Sequence, residues 1–215
     1  MARAISNRNL YDAKFEVAEF TGKWLESFGK PELRGSWLIY ADSGAGKTHF
    51  ALELIKYLSK FVERVAYDTL EQGYCSSFQT AWKDANMAEI GSKVVVLNKE
   101  PIEELRERLL KRRSPDVIVI DSISALVGFT RPAFTKLIND FPNKLFIFIA
   151  HEKNGLPDSG IGLHIRKMSD VKIYIRRFIA YVTTRFRGDN GEGGSDFIVW
   201  EEGARKANPE RIFKL

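Results

Sequence analysis

Residues 41–48, Ala-Asp-Ser-Gly-Ala-Gly-Lys-Thr, have the types and spacing needed to bind a polyphosphate. The small residues in the middle let the backbone curl tightly, so that several N–H groups can point at one anion. The Lys47 ammonium would contact the β- and γ-phosphates, and the Thr48 hydroxyl is a ligand type that Mg²⁺ accepts. The stretch therefore predicts a phosphate-binding loop. Its predicted nucleotide-binding residues are Ala41, Asp42, Ser43, Gly44, Ala45, Gly46, Lys47, Thr48 and His49.

The flanking sequence fits such a loop, because residues 37–40 are apolar as in a strand and residues 47–60 are amphipathic as in a helix. A helix that begins near Lys47 adds the positive end of its dipole to the phosphate site. Ala41 stands where the usual pattern begins with glycine. Alanine is compatible with the loop provided that the backbone does not need a positive φ there.

Two carboxylates follow predicted strands and are candidates for work at this site. Asp121 ends the apolar run 116–121, and ligands of open α/β sheets bind at the carboxyl ends of strands. We expect Asp121 to hold Mg²⁺ opposite Thr48. Glu71 lies just after the predicted strand 64–69 and could polarise the attacking water. Asp68 is the nearby alternative to Glu71 for that role.

The elements that position these residues alternate between strands and helices up to residue 150. The pattern predicts an α/β fold with a mostly parallel central sheet flanked by helices, and a C-terminal antiparallel hairpin. We expect residues 1–32 to be a helical segment (helix 8–30) that packs on the core or on a neighbour, and residues 33–215 to be the core domain. The other predicted helices are 74–85, 101–113 and 132–140; the other predicted strands are 93–97, 144–150, 171–175, 178–187 and 195–200; residues 152–168 are predicted to be a loop.

The phosphate loop, an acidic residue after the next strand and the run Val-Ile-Val-Ile-Asp-Ser-Ile-Ser together resemble the RecA-like P-loop ATPase core. This superfamily includes recombinases, DnaB-like helicases and KaiC-like ATPases, and the resemblance covers residues 33–200. It implies that Lys47, Thr48 and Asp121 bind Mg-ATP and that Glu71 is the general base. It also implies that His151, which ends the following strand, senses the γ-phosphate in place of the usual glutamine.

Two further groups of residues take their implied roles from the same resemblance. Arg185-Phe-Arg187-Gly is similar to the Lys-x-Arg-x-Gly stretch of the helicase and KaiC branches, where basic side chains enter the ATP site of the neighbouring subunit. This implies that Arg185 and Arg187 act in trans, within a ring or filament. The predicted loop 152–168 corresponds to a nucleic-acid loop, with Lys153, Arg166 and Lys167 as the candidates. Single-strand binders normally combine such charge with aromatic residues, and this loop has none.

Composition limits the remaining classes of function. The chain of 215 residues has a net charge of +5 and a pI near 9.2, which is compatible with nucleic-acid binding. It contains no apolar run of roughly 18 residues, so no membrane partner is expected. With Cys75 as the single cysteine no intrachain disulfide can form, which favours a reducing, cytoplasmic location.

The sequence thus predicts an Mg-ATP-hydrolysing oligomer that acts on single-stranded DNA in replication or recombination, resembling short ATPases encoded by phages or prophages. The alternative is a KaiC-like regulatory ATPase that gates protein–protein contacts without DNA, and a third interpretation is an ATP-dependent kinase. A GTPase is disfavoured because Asn98-Lys-Glu-Pro lacks the aspartate of its base-recognition motif. Adenine specificity rests on the resemblance alone.

Overall fold

A computed structural model describes residues 4–211 of the chain. The strands are β1 Gly35–Ala41, β2 Val65–Thr69, β3 Val94–Leu97, β4 Val117–Asp121, β5 Leu145–Lys153, β6 Leu156–Pro157, β7 Val171–Arg176, β8 Ile179–Thr184 and β9 Phe197–Ile198. The α-helices are α1 Asn7–Tyr11, α2 Gly22–Phe28, α3 Lys47–Leu58, α4 Ser76–Asp84, α5 Ile102–Leu110, α6 Arg131–Asp140, α7 Gly160–Met168 and α8 Glu201–Ala207. Short 3₁₀ helices cover Met87–Lys93 and Ile123–Ala125.

One sheet runs through the molecule in the order β3-β2-β4-β5-β1-β7-β8-β9, with β6 paired to β5. The strands from β3 to β7 are parallel, and β8 and β9 continue the sheet in antiparallel fashion. The central strands β1, β2, β4 and β5 are buried on both faces, as expected for near-continuous apolar runs between two helical layers. The predicted α/β fold, with its parallel sheet and C-terminal hairpin, is confirmed.

The two faces of the sheet bury separate apolar clusters. One cluster joins the side chains of α2, α3 and α4 to the strands, with Phe28, Trp37 and Leu54 among its fully buried members. The other joins α5, α6 and α7 to the opposite face, around Phe146 and Phe148. These layers fix the strand ends against each other, and so they fix the edge where the site lies.

The predicted helix 8–30 is wrong, because the chain is extended between α1 and α2. Gly22 has a φ of +54°, and the Ala18 N–H donates to the Pro31 carbonyl at 2.8 Å instead of to a helical turn. Phe20, in the extended part, packs its ring 5.0 Å from that of Tyr57 on α3. The segment from Ala18 onward is therefore part of the core, whereas the preceding residues are exposed, including Tyr11 at 89%.

Three C-terminal predictions also change. Residues 160–168 of the predicted loop form α7, whose first turn is capped by the Ser159 hydroxyl accepting from the Gly162 N–H. Strand β8 ends at Thr184, so Arg185 and Arg187 lie after the strand and not on it. The Thr184 hydroxyl accepts from the Phe186 N–H at 3.0 Å and donates to the Phe28 carbonyl, which turns the chain away from the ladder. The predicted strand 195–200 is reduced to the two residues of β9.

No helix within residues 4–211 is long and apolar enough to cross a membrane.

Candidate nucleotide-binding site

The predicted phosphate loop connects the end of β1 to the start of α3, near the middle of the sheet. Gly44 and Gly46 have φ values of +72° and +95°, a region that glycine enters without steric cost. A Cβ on Gly46 would also lie 3.5 Å from atoms of Phe178 and Val199, so the loop is closely packed on one side. Ala41, by contrast, is the last residue of β1 and pairs with His151 of β5. Its backbone is extended, which explains why alanine is accepted there.

Lys47 begins α3 and its side chain folds back over the loop. Its Nζ donates to the Ala41 and Asp42 carbonyls at 3.0 and 2.8 Å. Partial burial lowers the pKa of Lys47, against the opposing influence of the nearby Asp121 and Glu71 carboxylates. The ammonium therefore lies between the loop and both predicted catalytic carboxylates, which is where the charge of a bound phosphate chain has to be neutralised.

Asp121 and Thr48 are connected by a tyrosine that sequence reasoning did not select. The Tyr67 hydroxyl donates to Asp121 Oδ2 at 2.6 Å, and the Thr48 hydroxyl donates to Tyr67. Burial raises the pKa of Asp121, while the bond from Tyr67 and the charge of Lys47 act in the opposite direction. The alternation of β2 contained a signal for Tyr67, because residues 65, 67 and 69 share the face on which α3 packs.

Glu71 lies just beyond β2 and is held by two donors. Its Oε2 accepts from the Ser122 hydroxyl and from His151 Nε2, each at 2.9 Å. Desolvation opposes ionisation, but these two bonds and the charges of His151 and Lys47 together lower the pKa of Glu71. Because an ionised carboxylate only accepts, the His151 Nε2 must carry a hydrogen. No donor within residues 4–211 bonds to Oε1 of Glu71, so this oxygen is available to accept a proton.

Asp68, the alternative base, is excluded by its orientation. Its side chain is 1% exposed, and its Oδ1 accepts from the backbone N–H of Glu100 at 3.2 Å. It therefore lies on the side of β2 that faces β3 and α5. Burial raises the pKa of Asp68 to about 6, partly offset by backbone hydrogen bonds from Glu100 and Lys99.

The candidate ligands fit a hard cation such as Mg²⁺. The Thr48 hydroxyl and the Asp121 carboxylate offer oxygen donors on the same side of the Tyr67 hydroxyl, and phosphate oxygens would complete the set. Among the described residues no group of three or more His, Cys, Asp or Glu side chains is arranged to hold a metal. The site thus suits a cation that arrives with a nucleotide.

The two predicted finger arginines lie at the opposite edge of the sheet from the phosphate loop. Arg185 forms an ion pair with Asp170 at 3.3 Å, and the Asp170 N–H donates to the Ser36 carbonyl at the start of β1. At about 3.3 Å per residue, the steps along β1 separate that point from the loop by about 20 Å. Arg187 is exposed and donates to the Gly193 carbonyl at 3.1 Å. Neither arginine belongs to the site of its own subunit.

The predicted nucleic-acid residues are not gathered in one flexible loop. Arg166 is on α7, half-buried, with its guanidinium 5.9 Å from the centre of the Tyr40 ring and its Nε donating to the Tyr40 hydroxyl at 3.3 Å. Lys153 ends β5, and Lys167 is exposed on α7. The structure thus brings Arg166 next to the aromatic side chains that its own segment lacks.

No family model matches the sequence, and no curated protein matches it either. Two solved structures have a similar fold. The ATPase domain of a DnaB-like helicase superposes with a TM-score of 0.53 at 16% identity, over 78% of this chain and 82% of that one. The flagellar accessory protein FlaH from Methanocaldococcus jannaschii superposes with a TM-score of 0.54 at 16% identity, over 75% of this chain and 82% of that one. With its phosphate loop after a central strand of a parallel sheet, this chain has the fold of the RecA-like P-loop ATPases.

Proposed function

We propose that this protein binds Mg-ATP and hydrolyses it. The observation that carries the proposal is the Glu71 carboxylate, held by Ser122 and His151 at the sheet edge where Lys47 and Asp121 also lie. A fixed carboxylate with one free oxygen has the geometry of a general base for water. The fold likeness is compatible with this chemistry but does not demonstrate it.

In the proposed reaction the chain supplies binding, charge and a proton acceptor. The loop N–H groups and Lys47 bind the phosphates, while Glu71 orients the attacking water and takes its proton. Mg²⁺, held by Thr48 and by Asp121, would neutralise charge on the phosphate oxygens. His151, bonded to Glu71, connects the general base to the end of β5, so that a change at the phosphates can be passed to the segment that follows.

We propose that the active form is an oligomer in which Arg187, and with it Arg185, acts on the nucleotide of a neighbour. The separation of about 20 Å from the phosphate loop leaves action in trans as the way for these arginines to reach a nucleotide. Arg187 is exposed and has only carbonyl partners within the described residues, so its charge is not neutralised. A cation placed at the γ-phosphate accelerates phosphoryl transfer by roughly 10³–10⁵.

The proposed substrate on which the ATPase acts is single-stranded DNA. The net charge of +5 supports a polyanionic partner, and so do the exposed Lys153 and Lys167 and the half-buried Arg166. The likeness to the ATPase domain of a DnaB-like helicase is compatible with this proposal, although a shared fold at 16% identity does not by itself indicate a substrate.

A regulatory ATPase that gates protein contacts is the second candidate. The segment 4–17 favours it, because α1 has no buried residue and Leu10, Tyr11 and Phe15 are 60%, 89% and 54% exposed. Such an apolar arm fits a protein partner or a second copy of this chain. FlaH is a flagellar accessory protein, and the fold likeness to it is also compatible with such a role.

Steady-state ATP hydrolysis, measured across protein concentration with and without a dT20 oligonucleotide, tests these proposals together. We expect Mg-dependent turnover whose specific activity rises with protein concentration and with the oligonucleotide. Absence of turnover at every concentration would contradict the ATPase proposal. Turnover that rises with concentration but ignores DNA would instead favour the regulatory candidate.

A further inference from the structure

One face of the hairpin formed by β7 and β8 is not covered by a helix of the second core layer. The side chains that alternate onto it, here called the β7–β8 face, are Lys172, Tyr174, Arg176, Tyr181 and Thr183. The intervening side chains, such as Ile173 and Val182, point to the other face and are buried. The polar alternation of these two strands is therefore the sequence pattern of a sheet face that meets solvent.

A row of tyrosines leads across the sheet onto this face. The Tyr40 and Tyr174 rings stack with centroids 5.0 Å apart and planes 16° from parallel. Tyr174 and Tyr181 are directly opposite each other on β7 and β8, with centroids 6.2 Å apart. Tyr40 is buried, Tyr174 is half-buried and Tyr181 is 37% exposed. The row thus ends in an aromatic ring that solvent reaches and whose position is fixed by its neighbours.

Cations surround the tyrosine row. Arg166 lies over Tyr40, and burial followed by the charges of Arg185 and Arg166 lowers the pKa of Lys172, which places these three cations near one another. Among the described residues no carboxylate forms an ion pair with Arg166, Lys172 or Arg176. Like charges held together without counter-charges favour the binding of an anion.

The acidic groups near the face are fewer and partly engaged. Asp170 pairs with Arg185, and Glu152 lies near Tyr174. At the far side of the face, Arg211 pairs with Asp196 and also donates to the Tyr181 hydroxyl. The balance around the tyrosines therefore stays positive.

From this juxtaposition of stacked tyrosines and unneutralised cations we infer that the β7–β8 face binds single-stranded nucleic acid. Bases with a free face stack on such aromatic rings, and the backbone phosphates require nearby cations. A protein partner would fit less well, because the centres of protein interfaces are depleted in lysine and other charges. The inference deepens the proposed function, on which it rests for the link to ATP, by naming the surface that meets the strand.

A groove connects this face to the nucleotide site. Its volume is about 560 Å³, and its walls include Tyr174 and Arg176 on one side and Asp42 of the phosphate loop on the other. Lys153, predicted from sequence as a nucleic-acid contact, lines the same groove. A strand bound on the β7–β8 face would therefore extend towards the loop that holds the phosphates, which gives it a physical route to affect turnover.

Binding of 5′-labelled dT20, followed by fluorescence anisotropy without nucleotide, tests the inference separately from ATP hydrolysis. Tyr181→Ala should weaken binding by roughly 5- to 150-fold, the range found for loss of one stacked base. Replacing both Lys172 and Arg176 by alanine should reduce the slope of log K against log salt by about 1.4. Tyr74→Ala and Lys111→Ala, which remove an exposed tyrosine and an exposed lysine elsewhere, are the matched controls.

Unchanged dT20 affinity in Tyr181→Ala and in the double variant, with thermal unfolding as in the parent, would overturn the inference. A change in oligomeric state by analytical ultracentrifugation, with dT20 affinity retained, would also overturn it and assign the face to contacts between subunits. Tyrosine-dependent dT20 binding in a protein without ATP turnover would support the surface while contradicting the proposed ATPase. None of the substituted residues belongs to the hydrolytic site, so basal turnover should be unchanged in all variants.

Discussion

Replacing Tyr67 by phenylalanine isolates one hydroxyl at the centre of the candidate metal site. The aromatic ring would keep its contacts with Phe78 and Trp82, whose ring centroids lie 5.4 and 6.2 Å away. What disappears is the bond of 2.6 Å to Asp121 and the acceptor for the Thr48 hydroxyl. The substitution therefore removes orientation from both candidate Mg²⁺ ligands without opening a large cavity.

The expected magnitude follows from the type of bond. A hydrogen bond to a charged group contributes about 1.5–3 kcal/mol, and Asp121 would remain buried with one donor fewer. We expect the free energy of unfolding to fall by that amount. Loss of a residue that orients a metal ligand typically weakens metal affinity or activity about 10- to 100-fold. The Mg²⁺ concentration for half-maximal ATP turnover should therefore rise within that range.

Urea unfolding and Mg²⁺ titration of turnover measure the two effects, with Tyr57→Phe as the matched control. The Tyr57 hydroxyl accepts from the Thr21 N–H at 2.8 Å, and its ring stacks on Trp24, but it lies far from the site. This control should lose about 0.5–1.5 kcal/mol and keep the Mg²⁺ dependence of the parent. If Tyr67→Phe keeps both its unfolding free energy and its Mg²⁺ dependence, the assigned role of Tyr67 is refuted.

Four further predictions concern single residues. Lys47→Ala should abolish Mg-ATP binding in equilibrium dialysis, and retained tight binding would contradict the assignment of the phosphate loop. Glu71→Gln should keep ATP binding and lower turnover by about 10²–10⁴, the usual range for a general base, and normal turnover would exclude Glu71 from that role. Arg187→Ala should bind ATP normally and turn over roughly 10³-fold or more slowly; activity regained on mixing with Lys47→Ala would demonstrate action in trans, and full activity of Arg187→Ala alone would disprove it. Asp68 has a folded pKa of about 6 against 3.8 for the unfolded chain. The native state therefore binds more protons between these values, stability falls as pH rises from about 4 to 6, and Asp68→Asn should remove up to about 3 kcal/mol of that fall in urea unfolding. A pH profile that is the same in parent and variant would show that Asp68 is not its source.

The local chemistry of the nucleotide loop was determined by sequence alone. Gly44 and Gly46 adopt backbone conformations that other residues rarely enter, and the apolar run before Asp121 is typical of a strand buried on both faces. Such features depend on the residue and its immediate neighbours, and they were therefore legible in one sequence. The same local logic misled for helix 8–30, because its aromatic spacing came from core packing on both sides of Gly22.

The partners of each functional side chain were decided only by the tertiary structure. Glu71 meets Ser122 and His151, which lie 51 and 80 positions further along the chain, because β2, β4 and β5 end at the same edge of the sheet. Arg166 meets Tyr40 across 126 positions for the same kind of reason. Strand order and register set these encounters, and they arise from the packing of the whole sheet between its two helical layers. The sequence by itself thus determined which residue types the site contains, and the fold decided which of them touch.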